Sequence, residues 1–570
     1  IGRLVGSEMC IRDRDMQDSN SSDFSPITPD KLQPGKKFAA NYAGEHVAGT
    51  EFVIGALFVS WGVSTFDILI GLLLGNFLAV LTWALVTAPI ATDTRLTLYA
   101  YLEKIAGRGT IKLYSIVNCI LFSILAGAMI TVSASAIRIP FGIPAQVEWY
   151  PTSSAFVLVA LAVGAIVVYV AVKGFRGVAR FAEICAPWMI LMFVVGAIAT
   201  LPVLISATQG VEKIVSFSDF LIVANEHIYV SRESEYGFWH VAAFAWICNL
   251  SMHGAMGDMT LLRYARKSSY GYFSALGMFI GHYIAWVCAG IMGAGAAILL
   301  GTSISQLDAG GVAFQSLGFA GIIAVVIAGW TTSNPTIYRA GLAFQSLFPK
   351  LSREKATTIV GVITTIIACF PFVFTKLIDF VGFMGILLAP IGAVIVAEHW
   401  LFSNLGLTRY WSKYKGNSTN YAALFTWIAS MILALYLEGA GIIHLFFLLI
   451  PIWIFATFLY IFLASKLGAK EKYEEALKFE KIELNRKHEE SKYLKENDVS
   501  NFTQDQSKPA NLSSRVCEIV SYLALGICAL LAFFAYNGGD IGQFKSMLFM
   551  VTIIYFISAV IWARINRTTS

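Results

Sequence analysis

The chain has 570 residues, of which 57% are hydrophobic and only 14% are charged. Soluble domains carry about 25% charged residues, so this composition excludes an ordinary soluble domain and is typical of a polytopic membrane protein. The formal net charge of +5 does not identify a class of partner, but its distribution along the chain is informative.

The beginning of the chain differs from the rest. Residues 1–15 start with Ile1, and the run from Glu8 to Arg14 resembles a stretch encoded by a sequencing adaptor. We therefore predict a non-native leader that ends before Met16, and we leave it out of the fold. Residues 16–38 are polar, which predicts a disordered cytoplasmic tail.

The chain then contains fourteen apolar stretches, each long enough to cross the hydrocarbon core of a bilayer, about 30 Å thick, as a helix. The first stretch is interrupted by glycine and ionisable residues between Gly44 and Glu51. In chain order, spans 1 to 14 are predicted at 40–66, 67–92, 112–137, 153–173, 181–206, 237–261, 270–300, 312–347, 355–375, 378–402, 420–438, 441–465, 515–536 and 544–563.

Lysine and arginine residues are concentrated in alternate loops. The loops after spans 2, 4, 6, 8 and 10 are rich in both, whereas the opposite loops hold few. Because positively charged loops stay in the cytoplasm, we predict a multi-pass protein of the inner or plasma membrane with both termini cytoplasmic. The basic side of the protein is defined here by Arg95, Lys104, Arg108, Lys112, Lys173, Arg176, Arg180, Arg263, Arg266, Lys267, Lys350, Arg353, Lys355, Arg409, Lys413 and Lys415.

The segment 466–514 is strongly charged, unlike the spans that flank it. Opposite charges three and four residues apart stabilise a solvated helix, which predicts a charged cytoplasmic linker before spans 13 and 14 in 515–563. The alternative is a regulatory or partner-binding segment.

Span 8 contains an unusual polar run around Pro335. Proline has no N–H, so the carbonyl of Thr331, four residues earlier, loses its helical partner. An unpaired carbonyl inside a membrane is costly unless another group satisfies it. The hydroxyls of Thr331 and Thr332 lie beside it and are oxygen ligands of the kind that suits Na⁺. The alternative is a proline kink whose threonine hydroxyls bond to the previous turn.

Spans 1 and 6 are both interrupted by glycines and polar groups. Glu45, His46 and Glu51 lie in span 1 and Asp258 lies at the end of span 6; ionisable groups inside a membrane mark functional sites. If the first ten spans form two five-helix halves, the broken helices occupy matching positions, which indicates the binding site of a transporter. Glu45, Glu51 and Asp258 are therefore proton-coupling candidates. The alternatives are a cytoplasmic interfacial position for Glu45 and His46 and an interfacial ion pair of Asp258 with the arginines that follow it.

No motif indicates an enzyme. The chain has no GxSxG, P-loop or HExxH sequence, its eight Cys form no CxxC, and its eight His show no ligand spacing. We expect a protein that is not an enzyme, with no cofactor besides a coupling ion.

Several of these segments resemble the nucleobase:cation symporter-1 family, the group of cytosine permeases and hydantoin transporters. The run from Trp330 to Leu342 in span 8 carries the resemblance most specifically. Weaker matches are 74–76 in span 2, 258–266 after span 6 and 389–398 in span 10, and the resemblance covers roughly residues 40–464.

The resemblance implies an all-α polytopic protein with a five-plus-five inverted-repeat transporter fold and alternating access. The ten-helix core would occupy 39–402, helices 11 and 12 would occupy 403–465, and about four C-terminal helices in all would be additional to the repeat. The implied sodium ligands are the carbonyls of Ala48 and Ala328 and the hydroxyls of Thr331 and Thr332. The implied substrate neighbours are Gly49, Trp246, Asn249, Ser251, Ser333 and Asn334.

The sequence departs from the family in two places. The family usually stacks its heterocycle on a tryptophan of span 3, with a glutamine one turn earlier. Span 3 has neither residue there, and only Phe122 could stack. Glu45 and Glu51 stand where neutral residues would be expected, so we add Glu51 and Phe122 to the substrate-binding candidates.

We therefore predict a secondary active transporter that couples import of a nucleobase or related nitrogenous heterocycle to a cation, Na⁺ with H⁺ as the alternative. A second hypothesis keeps the fold and changes the solute to an amine, amino acid or osmolyte. A third is a membrane sensor with 466–514 as its output. The expected partners are a small solute and the lipid bilayer, without nucleic acid.

Overall fold

The computed structural model describes residues 25–172, 175–497 and 512–568, and within them the chain is helical, with no β-strand. The predicted leader 1–15, residues 16–24 of the predicted tail and residues 498–511 of the charged linker lie outside the described residues. The structure is that of an all-α polytopic membrane protein, as the sequence predicts.

Most of the predicted spans are long single helices. Within the described residues, eleven helices are long and apolar enough to cross a membrane. They correspond to spans 2, 3, 4, 5, 7, 8, 10, 11, 12, 13 and 14. In that order they are Thr65–Thr94, Leu98–Ile137, Ser154–Val172, Ile184–Ala207, Ser268–Leu300, Phe319–Leu347, Lys376–Asn404, Tyr421–Gly439, Leu449–Leu467, Leu512–Tyr536 and Ile541–Ile565.

The other three predicted spans are shorter or broken. Span 1 consists of two helices, Gly35–Glu45 and Thr50–Ser60. Span 6 has a helix at Phe238–Ile247, a single turn at Leu250–His253 and then irregular chain that includes Met256 at φ +66°. Span 9 is the helix Arg353–Ile367, with fifteen residues. At the breaks in spans 1 and 6, in the middle of the bundle, main-chain N–H and C=O groups lack their partners within a helix.

Two predicted boundaries need correction. Span 8 does not begin near 312, because a separate helix, Ala309–Leu317, ends at Gly318, whose φ of +62° turns the chain before Phe319. Residues 25–38 are not a disordered tail. The N–H of Ile27 donates to the carbonyl of Arg95 at 3.2 Å, and the N–H of Gln33 donates to the carbonyl of Tyr264 at 2.9 Å. This segment is therefore attached to the basic side.

Glycines allow the broken span 1 to approach its neighbours closely. A Cβ on Gly49 would lie 2.7 Å from a side-chain methyl of Val132 in span 3 and 3.1 Å from the main-chain nitrogen of Gly329 in span 8. A Cβ on Gly55 would collide with Trp286 and Ala289 in span 7. Small residues permit this backbone approach between membrane helices. Span 1 is therefore held between spans 3, 7 and 8.

The charged segment forms the helix Glu474–Glu496, called the strap helix below. It contains no buried residue, as expected of a solvated helix, but one face lies against the basic side. Glu490 pairs with Arg95 at 2.5 Å, and Lys487 pairs with Asp93. The ring of Phe479 packs against Tyr410, with centroids 5.2 Å apart. The linker is thus a docked helix over this part of its length.

Spans 13 and 14 pack against each other and against span 5, outside the ten-helix core. The hydroxyl of Tyr555 donates to the carbonyl of Ile184 at 2.8 Å. Phe556 lies edge-on to Trp188, with ring centroids 5.0 Å apart. The two helices contribute no residue to the contacts at the broken helices that are described next.

Candidate functional site

Oxygen atoms from spans 1 and 8 converge where the first half of span 1 ends. The Thr331 hydroxyl donates to the Ala328 carbonyl at 3.0 Å. The Thr332 hydroxyl lies 3.2 Å from the same carbonyl and 3.1 Å from the carbonyl of Glu45. Glu45 is the last residue of its helix, where carbonyls lack intrahelical partners and carry a partial negative charge. We call this group the oxygen cluster.

The oxygen cluster contains three of the four residues predicted to bind sodium, and binding of the ion stays a prediction. Ala328, Thr331 and Thr332 come together as predicted, but the span 1 carbonyl that contacts Thr332 belongs to Glu45. The predicted carbonyl of Ala48 accepts the Glu51 N–H at 3.2 Å instead. The sequence signal that could have identified Glu45 is its position as the last helical residue before the break.

Pro335 does not break span 8, because the helix Phe319–Leu347 continues through it. The Thr336 hydroxyl donates to the Thr332 carbonyl at 2.7 Å, which supports the backbone around the proline. The threonine hydroxyls bond to the previous turn, as the kink interpretation predicts, and the Thr332 hydroxyl also reaches the Glu45 carbonyl of span 1. The sodium interpretation stays a prediction.

A buried ion triad lies nearer the basic side. The guanidinium of Arg339 in span 8 lies 2.5 Å from the Glu45 carboxylate and 2.9 Å from the Asp258 carboxylate. The second Asp258 oxygen accepts hydrogen bonds from the Tyr42 hydroxyl at 3.1 Å and the Trp83 indole at 2.7 Å. The side chains of Arg339, Glu45 and Asp258 are 9%, 12% and 2% exposed. The triad therefore joins spans 1, 6 and 8 away from water.

These ion pairs contradict the two alternatives that the sequence left open for Glu45 and Asp258. Glu45 is not an interfacial carboxylate, and Asp258 does not pair with the arginines that follow it, because each pairs with Arg339. Arg339 belongs to the run that carries the family resemblance, but nothing local in the sequence indicates its partners.

Glu51 points toward span 7. Its carboxylate accepts a hydrogen bond from the Trp286 indole, and it lies 3.7 Å from Nε2 of His282. The His282 ring stacks on Trp286 with centroids 4.4 Å apart and meets His46 edge-on at 5.3 Å. Nδ2 of Asn249 lies 3.4 Å from the same imidazole. Sequence reasoning missed His282 and Trp286, since neither lies in a motif.

The remaining predicted substrate residues fall into two groups. Trp246 and Asn249 are half-buried at the break of span 6, and Trp246 donates its indole N–H to the Thr82 hydroxyl at 3.1 Å. Ser251 and Ser333 are buried, the latter with its hydroxyl 3.4 Å from a main-chain carbonyl of its own helix. These residues lie at the break of span 6 and on the continuous helix of span 8, and their contact with a substrate stays a prediction.

Phe122 and Asn334 differ in what they offer a ligand. Phe122 is 1% exposed within a packed hydrophobic cluster, so its ring is a core contact and not an open stacking surface. Asn334 is also buried, yet its side-chain oxygen has no hydrogen-bond partner within the part of the chain that the structure describes. A buried amide oxygen without a protein partner is costly, so it is available to a water or to a polar group of a ligand.

Comparison with solved structures gives the fold. A structure of Mhp1, described as a nucleobase-cation-symport-1 family transporter in a closed conformation with bromovinylhydantoin bound, aligns with a TM-score of 0.59 at 14% identity, over 79% of this chain and 97% of that one. The inward-facing conformation of Mhp1 aligns at 0.57 with 13% identity, over 78% and 93%. This chain has the fold of these transporters.

A Na⁺-coupled sialic acid symporter in a substrate-bound outward-open state is also similar, with a TM-score of 0.55 and 14% identity, over 77% of this chain and 91% of that one. No family model matches the chain, and no curated protein sequence does. The family resemblance drawn from the residues is confirmed at the level of the fold, with its five-plus-five inverted repeat.

Proposed function

We propose that this protein is a secondary active symporter that uses a Na⁺ gradient to import a small nitrogenous solute, in the first instance a nucleobase or related heterocycle. The basic side would face the cytoplasm, with both termini there. The observation that carries the proposal is the oxygen cluster between the broken span 1 and the intact span 8. In transporters with broken helices, free carbonyls at half-helix C-termini and nearby hydroxyls coordinate Na⁺.

The residues present fit a sodium ion. The hydroxyls of Thr331 and Thr332 and the carbonyls of Ala328 and Glu45 are neutral oxygen ligands, and the negative end of a helix dipole faces them. With Na⁺ bound, Thr332 would turn its lone pairs toward the ion and release its hydrogen bonds. The Ala48 carbonyl, three residues further along the chain in the break of span 1, would be a further ligand.

The heterocycle assignment rests on the fold and on three positions. The half-buried Trp246 and Asn249 and the unpartnered oxygen of Asn334 supply an aromatic ring and amide groups, which suit a flat solute with several N–H and C=O groups. The missing stacking surface at Phe122 leaves Trp246 as the aromatic candidate.

Uptake into proteoliposomes tests the proposal. Labelled cytosine, uracil, hypoxanthine and allantoin would be offered with and without an inward Na⁺ gradient, and at least one should accumulate only with it. Thr332→Val should raise the Na⁺ concentration for half-maximal uptake by about tenfold, the equivalent of about 1.4 kcal/mol. Thr336→Val is the matched control, because its hydroxyl bonds only within span 8. Uptake that is indifferent to Na⁺ for every solute would refute coupling.

A second candidate solute is an amine, amino acid or cationic osmolyte. The Glu45 carboxylate is already paired with Arg339, whereas the ion-pair partner of Glu51 within the described residues is His282 at 3.7 Å, so we take Glu51 as the carboxylate that a positive ligand would meet. A binding competition between amines and the heterocycle distinguishes the two candidate solutes. Amines that displace the heterocycle from the unmodified protein, but not from Glu51→Gln, would favour this candidate over the first.

A further inference from the structure

A cleft on the basic side lies between the strap helix and the transmembrane bundle. Its walls are the C-terminal half of the strap helix, the end of span 2, the loop after span 6 and the N-terminal segment at Pro34. Its volume of about 580 Å³ is within the range of roughly 300–1,000 Å³ that is usual for small-molecule sites. We call it the strap cleft. None of its described lining residues is assigned above to sodium or to the transported solute.

Cations outnumber carboxylates in the walls of the strap cleft. Among the described residues that line it, five are lysine or arginine and two are acidic. Both carboxylates are already paired, Glu490 with Arg95 at 2.5 Å and Asp93 with Lys487. The other three cations therefore leave an excess of positive charge in the cleft.

These three cations are available to a ligand. Arg266 and Lys267 belong to the loop after span 6 and Lys495 belongs to the strap helix, and none of them has an ion pair within the part of the chain that the structure describes. The Nε of Arg266 is buried without a hydrogen-bond partner among the same residues. A buried donor without a partner is costly, so it is available to a water or to an anionic ligand. The hydroxyls of Ser268 and Ser491 line the same cleft.

This set of donors suits a phosphate group. A phosphate monoester carries about two negative charges and three acceptor oxygens, so it can meet a guanidinium, an ammonium and a hydroxyl at once. The guanidinium fork binds two phosphate oxygens, and lysine adds a point charge. The cleft is larger than a phosphate group alone requires, and Pro34, Pro89 and Leu494 supply apolar walls for the rest of a molecule.

We propose that the strap cleft binds the phosphate group of an anionic ligand, which joins the strap helix to the loop after span 6. Arg266 and Lys267 contact the phosphate from the loop, and Lys495 contacts it from the strap helix. Because the strap helix contains no buried residue, this additional contact strengthens its docking. A soluble phosphorylated molecule and an anionic phospholipid headgroup carry the same group, and the experiments below separate these two sources.

Equilibrium dialysis with radiolabelled pyrophosphate tests the site on the purified whole chain in a neutral detergent. Binding should be saturable. Arg266→Gln and Lys495→Gln should each weaken it about tenfold, because each variant loses a charged contact with the anion. Lys495 is exposed, so its variant tests the site without disturbing a buried group. Lys492→Gln is the matched control, because it removes the same charge from the strap helix but does not line the cleft, and it should bind like the parent.

Limited trypsin digestion in lipid nanodiscs separates the two sources. Nanodiscs of phosphatidylcholine alone are compared with nanodiscs of equal parts of phosphatidylcholine and phosphatidylglycerol, and cleavage is scored after Lys481, a strap-helix site that every variant keeps. If the ligand is soluble, pyrophosphate slows cleavage in both lipids. If it is a headgroup, phosphatidylglycerol slows cleavage without pyrophosphate. In either case Lys495→Gln should lose the protection and Lys492→Gln should keep it.

Three results would overturn the proposal. The first is that pyrophosphate does not bind and neither it nor phosphatidylglycerol slows cleavage. The second is that Arg266→Gln and Lys495→Gln bind and are protected like the parent. The third is that Lys492→Gln loses as much as Lys495→Gln, which would mean that the general positive charge of the basic side attracts the anion. These measurements involve neither Na⁺ nor uptake, so the site stands or falls separately from the proposed symport.

Discussion

Arg339 and Arg95 are two buried arginines on the same half of the protein, and they are balanced in different ways. Arg339 lies between two carboxylates inside the bundle, from Glu45 and Asp258. Arg95, whose side chain is 2% exposed, meets one carboxylate, Glu490 of the strap helix. Its remaining contacts are main-chain carbonyls of the loop after span 6, at 2.9 and 2.5 Å.

The two arginines differ in what would replace their carboxylate partners. If the strap helix moved away, Arg95 would keep its two carbonyls and gain water, since Glu490 comes from a helix without buried residues. If Arg339 lost its carboxylates, no other acidic side chain among the described residues pairs with it. The comparison indicates that the ion pairs inside the bundle cannot exchange their partners for water. The ion pairs between the strap helix and the bundle can. The predictions below test this contrast.

The largest loss of stability is expected for Arg339→Met. It leaves the carboxylates of Glu45 and Asp258 buried without their common partner, and breaking a buried pair in this way costs about 3–5 kcal/mol. Thermal unfolding of the purified protein in detergent measures the loss. The triple variant Glu45→Gln, Asp258→Asn, Arg339→Met should recover most of it, since it leaves no uncompensated charge. A single variant as stable as the parent would contradict the assignment of a buried triad.

The next largest loss of stability is expected for Asp258→Asn, and it should be larger than the loss for Glu45→Gln. The Asp258 carboxylate serves Arg339, Tyr42 and Trp83, whereas Glu45 has Arg339 and a longer 3.3 Å contact with Asn41. Hydrogen bonds to charged groups contribute about 1.5–3 kcal/mol each. The same unfolding assay compares the two amide variants, which are matched in chemistry. The opposite order would mean that Glu45 holds the triad together.

The local part of this arrangement could be predicted from the sequence, and the non-local part could not. The breaks in spans 1 and 6 follow from glycines and polar residues within a few positions, and Thr331 and Thr332 lie beside Pro335. The partners of Arg339 lie 294 and 81 residues away in the chain, so no spacing reveals them.

The type of a side chain also does not tell which neighbours it contacts in the folded protein. The aromatic ring of Phe122 makes it a stacking candidate in the sequence, but its burial in a packed cluster depends on helices from other parts of the chain. Glu51 is a substrate candidate because it stands where the family would have a neutral residue, yet its carboxylate contacts Trp286 and His282 in span 7. Position along a span fixes depth, and tertiary packing decides which neighbour the residue meets.

A smaller effect is expected for Glu490→Gln on the strap helix. The change removes the carboxylate from Arg95, and we expect a loss of about 1 kcal/mol, because the amide oxygen still accepts a hydrogen bond and the two main-chain carbonyls stay on the guanidinium. Limited trypsin digestion provides the readout. Cleavage within Glu474–Glu496 should become faster, while the transmembrane fragments stay intact. Unchanged cleavage would mean that other contacts dock the strap helix.

The smallest effect is expected for Lys487→Ala. Lys487 and its partner Asp93 have side chains that are 46% and 34% exposed, and such pairs contribute about 0–1 kcal/mol. Lys492→Ala is the matched control, since its pair with Glu496 at 3.8 Å lies within the strap helix and does not reach the core. Trypsin cleavage should therefore rise slightly for Lys487→Ala and not for Lys492→Ala. In salt of about 1 M, where the Debye length falls to about 3 Å, the difference should disappear. The destabilisation caused by Arg339→Met should persist in the same salt, because ions do not enter the bundle to screen it.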